Sequence, residues 1–284
     1  MLTDKVILAT DFSAASRSAV LVAAKVSLQF NASVLVVHVF QFESRHHMVP
    51  VGWMINLIRK DIREQMNRTL RRLRKLGVQA EGQLVEDGFP SNEIPAVVAK
   101  FDKPMLVMGT RSLDGIDRLV IGSTAEQILR KVDCPVITVG PGSRGATRKH
   151  LVFRGILFPT DFSKESLIAA GFIRELLKQT GASVWVLHVL ARSSPAGQSK
   201  AKFSQIAEVL GAKDTKDFPI EYVEVQDESV SHAIAQQAAH YDVDLIVLGA
   251  RQTSALASRL SPEVVAQVIS IAGAPVLTVS SKGS

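Results

Sequence analysis

The stretch Gly109–Thr124, GTRSLDGIDRLVIGST, brings together glycines, small hydroxyl side chains and the two arginines Arg111 and Arg118. These are the residue types that hold a phosphate. Gly122, Ser123 and Thr124 precede the helical pattern AEQILRKV, so unpaired backbone N–H groups and the positive end of a helix dipole would face an anion there. Hydroxyls at that point can cap the helix or bind the anion directly. Arg111 and Arg118 could pair with phosphate oxygens or form surface ion pairs, and the sequence leaves both readings open.

Other chemistries find less support. Neither GxxxxGK[ST] nor a strand-linked GxGxxG occurs, so the phosphate loops of P-loop NTPases and dinucleotide dehydrogenases are missing. Asp11, His38 and Ser123 suggest a triad, but His38 lies inside an apolar strand and returns as His188 with no serine partner, so a structural histidine is expected. His46 and His47 have no further ligand at useful spacing, so no metal site is expected. Cys134, ahead of Pro135 and an apolar strand, reads as a small packed residue. No catalytic residue emerges, and the chain is not expected to be an enzyme.

These residues sit in a chain written twice. Thr10-Asp11-Phe12-Ser13 returns 150 positions later as Thr160-Asp161-Phe162-Ser163, and Ala32 through Val39 returns as Ala182 through Val189. LVMGTR from Leu106 returns as IVLGAR from Ile246, now 140 positions later, as do Pro135-Val136 and Thr138-Val139. Ten residues are therefore missing from the second copy, where the first has a loop from Gln41 to Trp53 and a long basic helix. Each copy alternates short apolar runs with helical patterns, which calls for βαβ units and a parallel sheet covered on both faces. The expected division is a first domain at 1–141, a linker at 142–150 and a second domain at 151–284.

Taken in order, these pieces resemble the universal stress protein family in its tandem form: the ATDFS and PTDFS turns, the VVHV and VLHV strands, Gly109 and Gly249, then CPVITV and APVLTV. The resemblance implies two doubly wound α/β domains, each a five-stranded parallel sheet of order 3-2-1-4-5 with helices on both faces. The last strands would meet, making the chain its own pseudo-dimer; further pairing of whole chains stays open. Ligands of such sheets lie beyond the carboxyl ends of strands 1 and 4. By the same resemblance, Asp11 would meet the ribose or adenine, the backbone near Val39 the adenine, and Gly109, Arg111, Ser112, Gly122, Ser123 and Thr124 the phosphates of ATP or ADP. Family members that bind ATP carry GxxG, nine residues, then G and Ser or Thr; here Ser112 stands at the second glycine. If that position needs a left-handed backbone, serine costs roughly 1 to 2 kcal/mol.

The second copy departs further. Gln252 replaces the second glycine, Pro262 and Glu263 replace Gly122 and Ser123, and Glu228 replaces Gly88. Pro262 offers no N–H, and the Glu263 carboxylate would repel an anion. ATP is therefore expected in the first domain only.

Composition bounds the rest. The chain has 46% apolar and 21% charged residues, as soluble globular proteins do, and one cysteine, which excludes an internal disulfide. No run approaches the eighteen or so apolar residues of a membrane span, and the amino terminus lacks a secretory layout, so a cytoplasmic location without a membrane partner is expected. The net charge of +6 is concentrated between Asn56 and Leu76, where eight basic residues face Asp61 and Glu64. This is an amphipathic helix with a basic outer face, and nucleic acid is not the expected partner. The expected function is a stress-response sensor or regulator that takes adenine nucleotide in its first domain, the second being structural. One alternative is a nucleotide-free scaffold docking an acidic partner through helix 56–76. Another is slow ATP hydrolysis or self-phosphorylation at Ser123 or Thr124.

Overall fold

The structure is a computed structural model that describes residues 2–41, 52–110, 122–140, 143, 151–195, 197, 199–211, 219–250 and 260–280. The first copy contributes β1 (Lys5–Ala9), α1 (Ala14–Phe30), β2 (Ser33–Phe40), α2 (Gly52–Lys75), β3 (Ala80–Glu86), α3 (Pro90–Val98), β4 (Pro104–Gly109), α4 (Ser123–Lys131) and β5 (Val136–Val139). The second contributes β6 (Gly155–Pro159), α5 (Lys164–Thr180), β7 (Ser183–Leu190), α6 (Lys200–Leu210), β8 (Ile220–Gln226), α7 (Val230–His240), β9 (Leu245–Ala250), α8 (Pro262–Ile271) and β10 (Val276–Ser280). Among the described residues these ten strands form one sheet, in the order β3-β2-β1-β4-β5-β10-β9-β6-β7-β8. Every pairing within a copy is parallel, and the seam is antiparallel, with Val276 opposite Thr138 and Thr278 opposite Val136.

Strand alternation builds two cores, one on each face of the sheet. In β1, Val6 and Leu8 join Met66, Leu70 and Leu73 of α2, while Ile7 and Ala9 join Ile94 and Val97 of α3 and Ile128 of α4. Both cores continue across the seam into the second copy. At the seam, the buried Thr138 hydroxyl donates to the Val276 carbonyl at 3.2 Å, and Thr278 returns the bond to Val136 at 3.3 Å.

The long basic helix differs from its pattern. The apolar period predicts burial from Ile55 onward, yet the buried positions begin at Ile62. The reason is length. Arg74 donates to the Ala80 carbonyl at the start of β3, Met66 and Leu70 lie over Gly82, and Arg59 pairs with Glu86 at its end. The residues before Arg59 have run past the strand. In the second copy Tyr222 takes the register position of Gly82, and α6 is 11 residues against 24 for α2.

One cross-copy contact has no sequence signature. Lys25 of α1 is 3% exposed and pairs with Asp244, just before β9, while its ammonium lies 4.4 Å from the centre of the Phe153 ring. Asp244 also accepts the backbone N–H groups of Arg154 and Gly155 at 2.9 and 3.1 Å. Burial pushes the Lys25 pKa down, and Asp244 opposes that shift. Removing Asp244 would strand a buried ammonium and two N–H groups. Asp244→Ala is expected to cost about 3 to 5 kcal/mol in denaturant unfolding. Lys25→Met, which leaves Asp244 its two backbone donors, should cost clearly less.

Candidate functional site

The turn after β1 is built from its own side chains. Phe12 takes a left-handed backbone at φ 60°, a conformation that L residues seldom adopt. Several bonds hold it there. The Thr10 hydroxyl accepts the Phe12 N–H at 3.0 Å, and Asp11 accepts the Ser13 N–H at 3.0 Å and the Ser16 hydroxyl. Ser13 then caps α1 by accepting the Ser16 N–H at 3.3 Å. His38 reaches across from β2 and donates its Nδ1–H to the Thr10 carbonyl at 2.7 Å, with the Phe12 ring 4.5 Å away. Phe162, Asp161, Ser163, Ser166, Thr160 and His188 repeat this arrangement in the second copy, with Phe162 at φ 62°. His38 thus has the structural role expected from its apolar strand. Burial lowers its pKa, against the opposing influence of the Thr10 carbonyl and Asp11.

The strands bring the candidate residues to one edge. β1 lies between β2 and β4, with Ala9 beside Val37 and Met108. Connections leave β1 and β4 in opposite directions, which makes their carboxyl ends the switch point at which ligands of open α/β sheets bind. Asp11, exposed, follows β1; half-buried Val39 is near the end of β2, on the face covered by α3 and α4; Gly109 ends β4 beside Val139. Gly122 is the cap residue of α4, with no side-chain bond to the helix, and Ser123 and Thr124 are exposed in its first turn. A Cβ on Gly122 would meet nothing within 4 Å. Arg111, Ser112 and Arg118 lie outside the described residues, as do His46, His47, Arg251 and Gln252.

The corresponding helix start of the second copy is capped by its own side chains. Ser261 caps α8 by accepting the Val264 N–H at 3.4 Å and donates to Glu263 at 3.1 Å, and Pro262 opens the helix. Glu228 pairs with Arg192. A cavity of only about 10 Å³ remains beside Thr160, Asp161, His188 and Leu260, room for one water at most.

Gly249 has a reason that its place in the sequence pattern does not disclose. A Cβ there would strike the Glu165 carbonyl and lie 2.7 Å from the Ser166 nitrogen, so β9 requires glycine to admit the first turn of α5. Cys134 is buried, and desolvation pushes its thiol up to about 11, which suits a packed residue. Among the described residues no three His, Cys, Asp or Glu side chains group as metal ligands, and no helix is long and apolar enough to cross a membrane.

The model of the universal stress protein family matches residues 3–140 and again 153–280. The chain belongs to the universal stress protein family. Among its relatives, a universal stress protein of Methanocaldococcus jannaschii is 30% identical over 139 residues, covering 48% of this chain and 81% of that one. One from Synechocystis is 27% identical over 153 residues, covering 51% of this chain and 94% of the relative. Each of these spans about one copy. The solved structure of a universal stress protein from Archaeoglobus fulgidus covers 99% of both chains with a TM-score of 0.76 at 19% identity, a likeness of fold across both copies.

Gly249→Ala forces backbone apart and should lower stability by about 1 to 3 kcal/mol. Gly122→Ala meets open space and should cost at most about 1 kcal/mol, the difference between glycine and alanine as a cap; denaturant unfolding of both variants checks the contrast. For His38, the folded state binds its proton less readily than the unfolded state. Its contribution is therefore complete well above pH 6.5 and falls as pH drops from about 6.5 toward the lower folded-state pKa. Thermal unfolding across that range should show a smaller pH slope in His38→Asn, which keeps an N–H donor for Thr10.

Proposed function

We propose that this protein is a cytoplasmic stress-response regulator whose first domain binds an adenine nucleotide, ATP or ADP, while the second serves as its structural partner. The observation that carries this reading is the contrast between two helix starts in equivalent places. At α4 the cap is Gly122, with no side-chain bond and open space around it; at α8 the cap is filled by Ser261 and followed by Pro262 and Glu263. A dipole end without a side-chain cap favours an anion, whereas one closed by a hydroxyl and a carboxylate does not. In this reading the phosphates lie against Gly122, Ser123 and Thr124, with Gly109, Arg111 and Ser112 completing the loop. The base and ribose lie toward Val39 and Asp11. Asp11 offers the ligand an exposed carboxylate that its own turn already orients. Signalling would follow from nucleotide occupancy changing the loop and hence the partner met there, and not from turnover.

The test is to denature the purified protein, identify any released nucleotide by mass spectrometry, and measure thermal stability with added ATP or ADP. Ligand at a hundred times its dissociation constant should add about 2.7 kcal/mol. Gly122→Glu places a carboxylate at the dipole end and should abolish both signals while leaving the apoprotein folded. Absence of nucleotide, with no thermal shift, would overturn the proposal.

A further inference from the structure

The amino-terminal end of α2 has a surface that the fold does not use. Arg59 is bonded to Glu86, the last residue of β3, through Nε at 3.2 Å and Nη2 at 2.7 Å. From that level Gly52–Ile58 continue past the strand end by about 10 Å, at 1.5 Å per residue. This overhang is apolar nearly all round, reading Trp53, Met54, Ile55, Asn56, Leu57, Ile58. Trp53 is 68% exposed and Leu57 60%, with Met54 and Ile58 exposed beside them. Counted at 100° per residue, Trp53 and Leu57 lie opposite the buried row of Ile62, Met66, Leu70 and Leu73, so the sheet cannot cover them. Directly behind the apolar turns stand the exposed Lys60 and Arg63 with the exposed Asp61 and Glu64 between and after them, Glu64 pairing with Arg68, and farther along the outer face Arg71 and Lys75 leave the helix basic on balance. Phe89, 60% exposed three residues beyond Glu86, adds apolar surface at the same edge.

Apolar tip followed by basic collar is a two-part design with one evident complement. A partner protein that grips a helix in a groove reads one stripe at spacings of three and four residues. Here the exposed apolar side chains fan over a wide arc within two turns and then give way to charge. A second copy of the chain would bring like charges together, because its own α2 carries the same collar. A fluid, anionic surface fits both parts: it accepts apolar side chains in any direction and meets the lysine and arginines at the depth of its headgroups. A tip of two turns enters the surface of a bilayer without the long apolar run that a span needs.

We propose that the Trp53–Ile58 end of α2 inserts into the surface of an anionic lipid bilayer, with Lys60 and Arg63 against its headgroups. The second copy has no such end, since α6 starts at Lys200 and lacks these turns.

The experiment uses the full chain with Trp185→Phe, which leaves Trp53 as the single tryptophan reporter. Its emission and its sedimentation are followed with vesicles of phosphatidylglycerol and phosphatidylcholine in equal parts, and with phosphatidylcholine alone. Insertion predicts a blue shift and co-sedimentation with the anionic vesicles only, weakened by added salt. Lys60→Glu with Arg63→Glu should lower partitioning at least about tenfold, and so should Trp53→Ser with Leu57→Ser in the native-tryptophan background. All four side chains are exposed, so unchanged thermal unfolding would show that the fold is retained. No association with anionic vesicles overturns the proposal, as does association that these substitutions leave unaltered. Concentration-dependent self-association abolished by Trp53→Ser, without vesicle binding, would overturn it in favour of a second copy.

Discussion

Everything in this molecule hangs on the antiparallel pairing of β5 with β10. Their sequences, VITV and VLTVS, are apolar strands that would otherwise lie at the open edge of a sheet, an invitation to association with other chains. Each copy covers the other's edge, and the Thr138 and Thr278 hydroxyls satisfy carbonyls across the seam. Because the sheet is continuous, so are the cores on its two faces. The Lys25–Asp244 pair then braces the copies a second time, from α1 to the residue just before β9.

The repeat separates scaffold from site within one chain. The hydrogen bonds of the Thr-Asp-Phe-Ser turn, its left-handed phenylalanine and the histidine beneath it are present twice, although the two helix starts nearby differ completely. Asp11 and Asp161 therefore have a structural task that does not depend on any ligand: each orders the turn that begins the helix behind it. Among the differences between the copies are the cap of α4 against that of α8, Gly88 against Glu228, and the long α2 against the short α6. These differences, all near strand ends or on the covering helices, leave the sheet intact.

Much of this was legible in the sequence because it depends on local periodicity. The apolar runs mark β2 at Ser33–Phe40 and β4 ending at Gly109, and the helical period marks α1 at Ala14–Phe30. Repetition of the turn residues fixed their equivalence, and Pro262 after Ser261 announced a capped helix. The limits are equally physical. Lys25 and Asp244 are distant in the chain and have no counterparts at the repeat positions, where Glu175 and Pro104 stand, so no pattern pairs them. Gly249 looks like part of a loop motif, and only the approach of α5 discloses its packing role. Ile55 and Ile58 continue the apolar period of α2, but periodicity carries no information about where the neighbouring strand ends.

The antiparallel seam also reverses direction. Strands of the first copy and strands of the second point opposite ways, so the carboxyl ends of β1 and β4 lie on one rim of the sheet and those of β6 and β9 on the other. The molecule consequently has a front and a back. The start of α4 at Gly122 and the overhanging end of α2 belong to the front; the Ser261-capped start of α8 and the shorter α6 belong to the back. In a dimer of identical chains every substitution falls on both rims at once. Here the two halves are covalently joined and separately encoded, so a residue on one rim can change while its counterpart on the other stays as it was, as Gly122 and Pro262 do.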